Sequence, residues 1–137
     1  LQIVLRHDQS YVRAHVNLAA ALLDLGIDRA SALRHLEMAL KLAPENAHAK
    51  NNLAVAYLDA GETEKGLEIL KKLAAANEPY RGAVYNLAIA LEQAGEKQEA
   101  KKAYTKYLEL DKDSGWAKLA AKKLASLRSP NGELSKQ

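Results

Sequence analysis

Residues 47–78 read AHAKNNLAVAYLDAGETEKGLEILKKLAAANE, and this stretch decides the fold. Apolar residues recur at helical spacing on both sides of Gly61, which predicts two amphipathic helices joined by a tight turn. The triplet Asn52-Leu53-Ala54 recurs as Asn17-Leu18-Ala19 and as Asn86-Leu87-Ala88, at intervals of 35 and 34 residues. Self-similarity of this period is typical of a solenoid, in which each unit is stabilised by stacking on the next.

The predicted first helices share one pattern, a large residue followed by Leu, a small residue and a second large residue. It is met by His15-Leu18-Ala19-Leu22, Lys50-Leu53-Ala54-Tyr57 and Val84-Leu87-Ala88-Leu91. The second-helix pattern of small, large, small and Pro is complete in Ala32-Leu36-Ala39-Pro44. On these residues the chain resembles the tetratricopeptide repeat (TPR) proteins over about residues 12–114. The resemblance implies an all-α fold, a right-handed α-solenoid of helix-turn-helix repeats with a C-terminal capping helix.

The resemblance also divides the chain. It predicts a remnant of a preceding repeat helix and its turn at 1–11, TPR repeats at 12–46, 47–80 and 81–114, a capping helix at 115–128 and a flexible tail at 129–137. The expected repeat helices cover residues 12–25, 29–42, 47–60, 63–76, 82–94 and 97–110. In the first segment, residues 1–6 are expected to end a helix and residues 8–10 to form the turn. Because residue 1 is Leu and not Met, we expect a fragment or a processed product.

The expected capping helix has one apolar stripe, formed by Trp116, Leu119, Ala120, Leu124 and Leu127, with lysines on its other face. A polar outer face is what the end of a solenoid requires. We therefore expect Trp116 in the core.

Composition agrees with an all-α chain. Hydrophobic residues make up 48% of the sequence, much of it Ala and Leu, whereas Phe and Cys are absent. Without Cys, disulfides, thiolate metal sites and Cys nucleophiles are excluded, and the compartment is left open. No apolar run reaches the roughly 18 residues that span a bilayer, and no signal peptide is visible.

The sequence lacks the motifs of common catalytic and metal sites. His7, His15, His35 and His48 form no i,i+4 pair, and the glycines stand singly at turn positions. A phosphate-binding loop and a Gly-x-Ser-x-Gly elbow are both missing. We therefore expect no enzymatic activity, no cofactor and no metal, with the histidines on the surface or between helices.

The most informative constellation is the column Asn17, Asn52 and Asn86, one at the same place in each first helix. In a TPR stack the first helices line a concave groove, and the resemblance puts these amides in it. A carboxamide has two donors and an acceptor, enough to hold the main chain of an extended peptide. Alternatively the column is structural, since a buried amide must find partners in either case.

The resemblance assigns further residues of the first helices to the groove. The expected peptide-binding groove consists of Arg13, Val16, Asn17, Ala20, Leu23 and Asp24 from the first repeat, His48, Asn51, Asn52, Val55, Leu58 and Asp59 from the second, and Tyr85, Asn86, Ile89 and Gln93 from the third. Its middle is apolar, and Asp24, Asp59 and Glu92 form an acidic lip. We expect a ligand with apolar anchors and neutral or basic charge.

TPR modules that bind chaperone tails hold a terminal carboxylate with Lys, Arg and Asn at fixed places. Asn52 meets one of these places. The Lys and Asn expected in the first repeat are replaced by Val16 and Ala20, and the later Lys and Arg by Gly82 and Asn86. The resemblance therefore does not extend to chaperone-tail binding.

Charge is unevenly spread along the chain. Residues 1–96 hold 10 Lys and Arg against 12 Asp and Glu, a net charge of −2, whereas residues 97–137 hold 10 against 5, a net charge of +5. The basic end includes Lys97, Lys101, Lys102, Lys106, Lys118, Lys122 and Lys123. Lysines on an outer helix face are ordinary solvated surface, so contact with nucleic acid or a membrane through these helices ranks last.

The expected function is a non-catalytic protein-protein interaction module that binds an extended or helical segment of a partner in its concave groove. The alternative is a scaffold that assembles with copies of itself, a homo-oligomer formed through the open N-terminal end or the convex face. Residues 1–6 are too short for a stable helix alone and would leave apolar surface of the first repeat open.

Overall fold

The computed structural model describes the backbone of residues 2–128 and the side chains of residues 9–128. The expected flexible tail at 129–137 lies outside the described residues. The described chain is entirely helical apart from its turns. Its helices are α1 (Gln2–Leu25), α2 (Arg29–Leu42), α3 (Ala47–Asp59), α4 (Thr63–Ala75), α5 (Arg81–Gln93), α6 (Lys97–Leu110) and α7 (Gly115–Arg128).

Most helix ends lie where the sequence predicts them. The bounds of α2, α6 and α7 are confirmed, and those of α3, α4 and α5 differ by one residue. Asp28 is the N-cap of α2, and its Oδ1 accepts a hydrogen bond from Ser31 N at 3.0 Å. Asn46 caps α3 in the same way, accepting from Ala49 N at 2.8 Å. Each cap satisfies a backbone N–H that the helix itself leaves unpaired, which fixes the helix start.

The first helix is longer than the sequence predicts. The sequence predicts that one helix ends at residue 6 and that residues 8–10 form a turn. This prediction is wrong, because α1 continues without a break from Gln2 to Leu25. Residues 8–10 are polar but include no Gly or Pro, and Gln9 and Ser10 are exposed on the helix surface. Polar residues on a solvated face do not interrupt a helix. Residues 2–11 are therefore part of α1 and not a separate remnant and turn.

The helices α1, α3 and α5 are each followed by a glycine in the left-handed conformation. Gly26, Gly61 and Gly95 have φ of 67°, 83° and 83°, values that glycine adopts without strain. After Gly26 the chain has one extra residue, Asp28, which is itself left-handed at φ 49°. The extra residue of the 35-residue interval is therefore absorbed in the turn.

The second and third of these turns are nearly identical. Both read Ala-Gly-Glu, at residues 60–62 and 94–96. In each turn, the glycine N–H donates to the carbonyl three residues earlier, and the glutamate N–H donates to the carbonyl five residues earlier. These two N···O distances are 3.0 and 2.8 Å in the turn at Gly61 and 3.1 and 2.9 Å in the turn at Gly95. This pair of bonds is a Schellman motif, which satisfies the last carbonyls of a helix.

The chain forms two compact units, an N-terminal unit that ends at Ile69 and a C-terminal unit that begins at Leu70. In the N-terminal unit, α1, α2 and α3 pack around one hydrophobic core. Its buried members are Val12, Val16, Ala19, Ala32, Leu36, Ala39, Ala49 and Ala56. The small residues of the repeat pattern thus lie where the helices touch.

Gly66 marks a close approach of α4 to α3 in the N-terminal unit. A Cβ at this position would lie 2.7 Å from Leu58 Cγ and 3.0 Å from Ala54 O. The other repeats carry Ala32 and Ala100 at the matching place. The contact between α3 and α4 is therefore tighter here than an alanine would allow.

In the C-terminal unit, α5 packs against α6, and α6 packs against α7. Its core is rich in Ala, Leu and Tyr. The buried residues are Leu70, Leu73, Ala74, Ala83, Val84, Tyr85, Leu87, Ala88, Ala90, Leu91, Ala100, Ala103, Tyr104, Tyr107, Ala117, Ala120 and Leu124. Tyr104 and Tyr107 thus place two α6 aromatic rings in this core.

The inward face of α7 differs from the predicted stripe. Its buried residues are Ala117, Ala120 and Leu124, whereas Trp116 is 61% exposed and Leu119 is exposed too. Successive residues are rotated by about 100° around a helix axis, so Trp116 lies to the side of the Ala117 face. The prediction of Trp116 in the core is wrong because α7 packs on α6 through small alanines and Leu124.

Candidate functional site

The three asparagines of the predicted column have different surroundings. Asn17 is exposed on α1, whereas Asn52 on α3 and Asn86 on α5 are half-buried. The amide Nδ2 of Asn52 is buried and has no hydrogen-bond partner within residues 9–128. Unpaired buried donors are uncommon in folded proteins. Asn52 thus carries a hydrogen-bond donor that the fold does not use.

The N-terminal unit has an open cavity of about 910 Å³ beside α1. Three predicted groove residues, Arg13, Val16 and His48, line it together. The other lining residues are Gln9, Val12, Leu42, Ala43, Pro44, Glu45 and Asn46. The cavity combines apolar walls with a few charged side chains, and its volume falls in the range of ligand sites.

Three predicted groove residues are buried and do not offer the open surface that the sequence predicts. Val16 borders the cavity but belongs to the core of the N-terminal unit. Asn51 on α3 and Tyr85 on α5 are buried as well. The apolar face of a packed helix is at least about 100° wide, so residues at the edge of the predicted groove face are drawn into the core.

The other predicted groove residues lie at or near the surface. Asp24, Asp59 and Gln93 are exposed, and Ala20, Leu23, Val55, Leu58 and Ile89 are half-buried. Glu92 from the predicted acidic lip accepts a hydrogen bond from Tyr104 Oη at 2.6 Å. Its carboxylate therefore serves the fold, which leaves Asp24 and Asp59 as the exposed acids of the lip.

Tyr85 lies within an aromatic cluster of the C-terminal unit, formed by Tyr85, Tyr104, Tyr107 and Trp116. Its ring centroid is 5.1 Å from that of Tyr107, 5.2 Å from Trp116 and 6.4 Å from Tyr104. The rings of Tyr85 and Trp116 meet edge to face at 67°, a geometry that aromatic pairs prefer. The exposed indole thus rests on a buried tyrosine.

The three tyrosine hydroxyls of the aromatic cluster differ in their partners. Tyr104 donates to Glu92 at 2.6 Å, and Tyr107 donates to Asp111 Oδ2 at 2.7 Å. The hydroxyl of Tyr85 is buried and has no hydrogen-bond partner within residues 9–128. Burial, and then the bond to Glu92, raises the pKa of Tyr104 above its ordinary value. Burial likewise raises the pKa of Tyr85, because a low-dielectric surrounding disfavours the charged phenolate.

Asp111 organises the turn between α6 and α7. Its carboxylate accepts hydrogen bonds from Tyr107 Oη, from Ser114 Oγ and from Ser114 N, the last at 3.2 Å. The bonds from the Ser114 side chain and from Tyr107 lower the pKa of Asp111 to about 2. Ser114 Oγ in turn accepts a bond from Ala117 N at 3.1 Å, which caps α7. This carboxylate is therefore part of the fold.

His15 and His35 meet between α1 and α2, with their Nδ1 atoms 2.9 Å apart and their rings stacked at 5.1 Å. The prediction that histidines lie between helices is confirmed for this pair. The sequence alone does not reveal that these two histidines contact each other. Within the part of the chain that has described side chains, no group of three His, Asp or Glu is placed to hold a metal ion.

The lysines of the basic C-terminal end are not all available to a partner. Lys106 is half-buried and donates to the carbonyl of Ala74, in the last turn of α4. Lys97, Lys102, Lys118 and Lys122 are exposed, and Lys101 and Lys123 are half-buried. Over residues 2–128, none of the helices combines the length and the hydropathy that a membrane span needs.

One face of α1 carries an exposed apolar stripe. Tyr11, Leu18 and Leu25 follow each other at intervals of seven residues, with Ala14 and Ala21 between them. All five are exposed, Leu18 at 47% and Leu25 at 70%. The leucine that matches Leu18 in α5, Leu87, is buried. We call this surface the α1 stripe.

Comparison with known families gives one consistent result. Family models described as tetratricopeptide repeat match residues 28–80 and 82–114. These matches cover the second helix of the first predicted repeat, all of the second predicted repeat, and the third from residue 82 onward. No curated protein matches the sequence.

Solved structures of similar fold agree. The Arabidopsis OM64 TPR domain has a TM-score of 0.72 at 20% identity, over 87% of this chain and 98% of that one. The first TPR of Spaghetti (RPAP3), bound to the HSP90 peptide SRMEEVD, has a TM-score of 0.72 at 19% identity, over 86% of this chain and 90% of that one. A tetratricopeptide repeat protein from Parabacteroides merdae has a TM-score of 0.67 at 26% identity, over 85% of this chain and 45% of that one. The predicted fold class, an all-α solenoid of helical repeats, is confirmed.

Proposed function

Because the chain belongs to the tetratricopeptide repeat family, whose repeats form protein-interaction modules, we propose that it binds an extended or helical partner segment in the groove of its first helices. In this proposal the repeats comprise residues 12–46, 47–80 and 81–114, and α7 is the capping helix. The chain recognises a protein and catalyses no reaction.

The unpaired amide of Asn52 carries the proposal. A buried N–H group without a partner costs about 1–3 kcal/mol, and Nδ2 of Asn52 is such a group. The residue as a whole is only half-buried, so a small side-chain rotation brings the amide to the surface. The carbonyl of an extended peptide then supplies the missing acceptor.

The charge of the exposed groove residues favours a neutral or basic segment. Asp24 and Asp59 are exposed, and they repel an acidic ligand. The first TPR of Spaghetti holds the acidic HSP90 peptide SRMEEVD. This chain has Val16 and Ala20 where a carboxylate clamp needs Lys and Asn, so we expect SRMEEVD not to bind. Segments with apolar anchors and few acids fit better.

A peptide array probed with the full chain tests the proposal. The array contains neutral, basic and acidic segments, including SRMEEVD, each in extended and helix-favouring versions. We expect binding to neutral or basic segments with apolar anchors, at micromolar affinity. Binding dominated by acidic C-terminal tails contradicts the proposed ligand class.

Amide variants then connect binding to the groove. We expect the double change Asn52→Ala, Asn86→Ala to weaken binding of an array peptide by about 1–3 kcal/mol. Asn52→Ala alone should leave the free energy of unfolding unchanged or higher, because the lost donor has no partner. Asn77→Ala, at an exposed position after α4, is the matched control. Unchanged affinity in the double variant, or loss of its fold, makes the column structural.

A second candidate function is self-assembly, and the α1 stripe favours it. Leu18 and Leu25 expose large aliphatic side chains beside Tyr11, in a row without charged residues. Apolar residues at intervals of three and four form the seam along which helices pair. A continuous exposed apolar surface commonly marks an interface. We propose, as the second candidate, that the protein forms homo-oligomers in which another copy of the chain covers this stripe.

A further inference from the structure

Tyr85 holds a hydrogen-bonding group that the fold leaves unused. Its side chain is only 6% exposed, and its hydroxyl has no partner. The hydroxyls of Tyr104 and Tyr107, in contrast, are bound to carboxylates. A buried hydroxyl without a partner destabilises a fold, and phenylalanine would avoid this loss. A ligand therefore explains the hydroxyl of Tyr85 better than packing does.

Trp116 lies against Tyr85 and is itself open to solvent. The two rings meet at 5.2 Å and 67°, and 61% of Trp116 remains exposed. The residue follows Gly115 at the very start of α7. An exposed side chain at this place changes rotamer without disturbing the core. A ligand can therefore pack on the indole and reach the hydroxyl beneath it.

The hydrogen bonds around the aromatic cluster favour a ligand that brings an acceptor and no donor. The neighbouring carboxylates of Glu92 and Asp111 already accept from Tyr104 and Tyr107. What remains is the O–H donor of Tyr85. Proline presents a carbonyl, lacks an N–H and has a compact apolar ring. Exposed aromatic residues bind extended proline-containing segments elsewhere by the same combination.

We propose that Trp116 and Tyr85 form a site for a proline-containing extended segment of the partner protein. The proline ring packs on the indole of Trp116, and the adjacent carbonyl accepts a hydrogen bond from Tyr85 Oη. The pair thereby decides which segments the module accepts. This inference rests on the proposed function, because it specifies the ligand of the same module.

The fluorescence of Trp116 provides the test, because this is the only tryptophan of the chain. The probes are an acetylated, amidated hexaproline peptide and a capped peptide of equal length made of alternating Gly and Ser. Titration of the full chain with hexaproline should shift the emission of Trp116 and saturate at about 0.1–1 mM, as expected of one small site. The Gly-Ser peptide should leave the emission unchanged.

Three conservative variants separate a ligand-binding hydroxyl from structural ones. Tyr85→Phe should weaken hexaproline binding about 5- to 10-fold and leave the melting temperature equal or higher. Tyr104→Phe and Tyr107→Phe are the matched controls, since each loses a hydroxyl that has a partner. They should lower the melting temperature and keep the hexaproline affinity within about twofold. Circular dichroism at each step verifies that the helices persist.

Equal hexaproline affinity in Tyr85→Phe and the unmodified chain overturns the proposal, and so does equal binding of the Gly-Ser peptide. If hexaproline does not bind while array peptides still bind through Asn52, the proline site is refuted and the proposed function stands. If neither hexaproline nor any array peptide binds, both are refuted.

Discussion

His15 on α1 and His35 on α2 share a hydrogen bond, with their Nδ1 atoms 2.9 Å apart. Two facing Nδ1 atoms form this bond only when one of them carries a proton and the other offers its lone pair. The rings are also stacked, with centroids 5.1 Å apart. The first helix pair is therefore joined by a polar contact as well as by its apolar core.

A double-mutant cycle on His15→Ala and His35→Ala should reveal this contact. Each single variant loses the shared bond, so the sum of the two single effects counts the bond twice. The double variant loses the bond only once, and its destabilisation is therefore smaller than that sum. We expect a coupling of about 1 kcal/mol in the free energy of unfolding, measured by urea denaturation. Strictly additive effects of the two changes contradict the bond.

Gly66→Ala should destabilise the protein, although alanine is the better helix former. The added Cβ meets Leu58 Cγ at 2.7 Å, and overpacking of this kind costs about 1–3 kcal/mol. The gain in helix propensity is about 1 kcal/mol, so the net loss should be at most about 2 kcal/mol. In a Leu58→Ala background the same change should become neutral or stabilising. If Gly66→Ala is destabilising by the same amount in both backgrounds, contact with Leu58 is not the cause.

Asp111 should make the folded state sensitive to acid. Its pKa is lowered to about 2 by hydrogen bonds from Ser114 and Tyr107, whereas an unfolded Asp titrates near about 3.9. The unfolded state therefore binds more protons between these values. The stabilising contribution is complete above about pH 4 and is lost as pH falls through about 2. Melting temperatures of the unmodified chain and Asp111→Asn, compared from pH 5 to pH 2, should converge towards the acid end; a constant difference contradicts this role.

The α1 stripe should control self-association. We expect the unmodified chain to form dimers or larger species at high concentration in sedimentation velocity, because Leu18 and Leu25 expose 47% and 70% of their surface. Leu18→Lys with Leu25→Lys places charge in the stripe and should yield monomers. Met38→Lys is the matched control, since Met38 is also 47% exposed but lies on α2. A monomer at all concentrations removes the scaffold function, and a dimer that survives both lysines has its interface elsewhere.

The helix ends could be predicted because their signals are local. Gly61, Gly95 and Pro44 mark turns by their backbone chemistry alone. Where only polarity suggested a turn, at residues 8–10, the prediction was wrong. The burial of Trp116 was also mispredicted, because it depends on which side of α7 meets α6 and not on hydrophobicity.

The candidate site was less accessible to sequence reasoning. The repeat period indicated the amide column, but Val16 and Tyr85 lie at the border between the predicted groove face and the core, where a small rotation of a helix decides their burial. Pairs such as His15 and His35 are distant in sequence. An unpaired atom such as Tyr85 Oη is recognised only when the partners of all neighbouring groups are known.

The twin Ala-Gly-Glu turns make the length of this protein adjustable. From Gly61 to Gly95 is 34 residues, one repeat. Recombination that joins Gly61 to Glu96 deletes one repeat and recreates the same turn, with glycine at the φ of 83° that both turns share. The reciprocal product gains a repeat at an equally intact joint. The turn after Gly26 has the same pair of backbone bonds but one extra residue, the left-handed Asp28, so an exchange with that turn also changes the length of the turn.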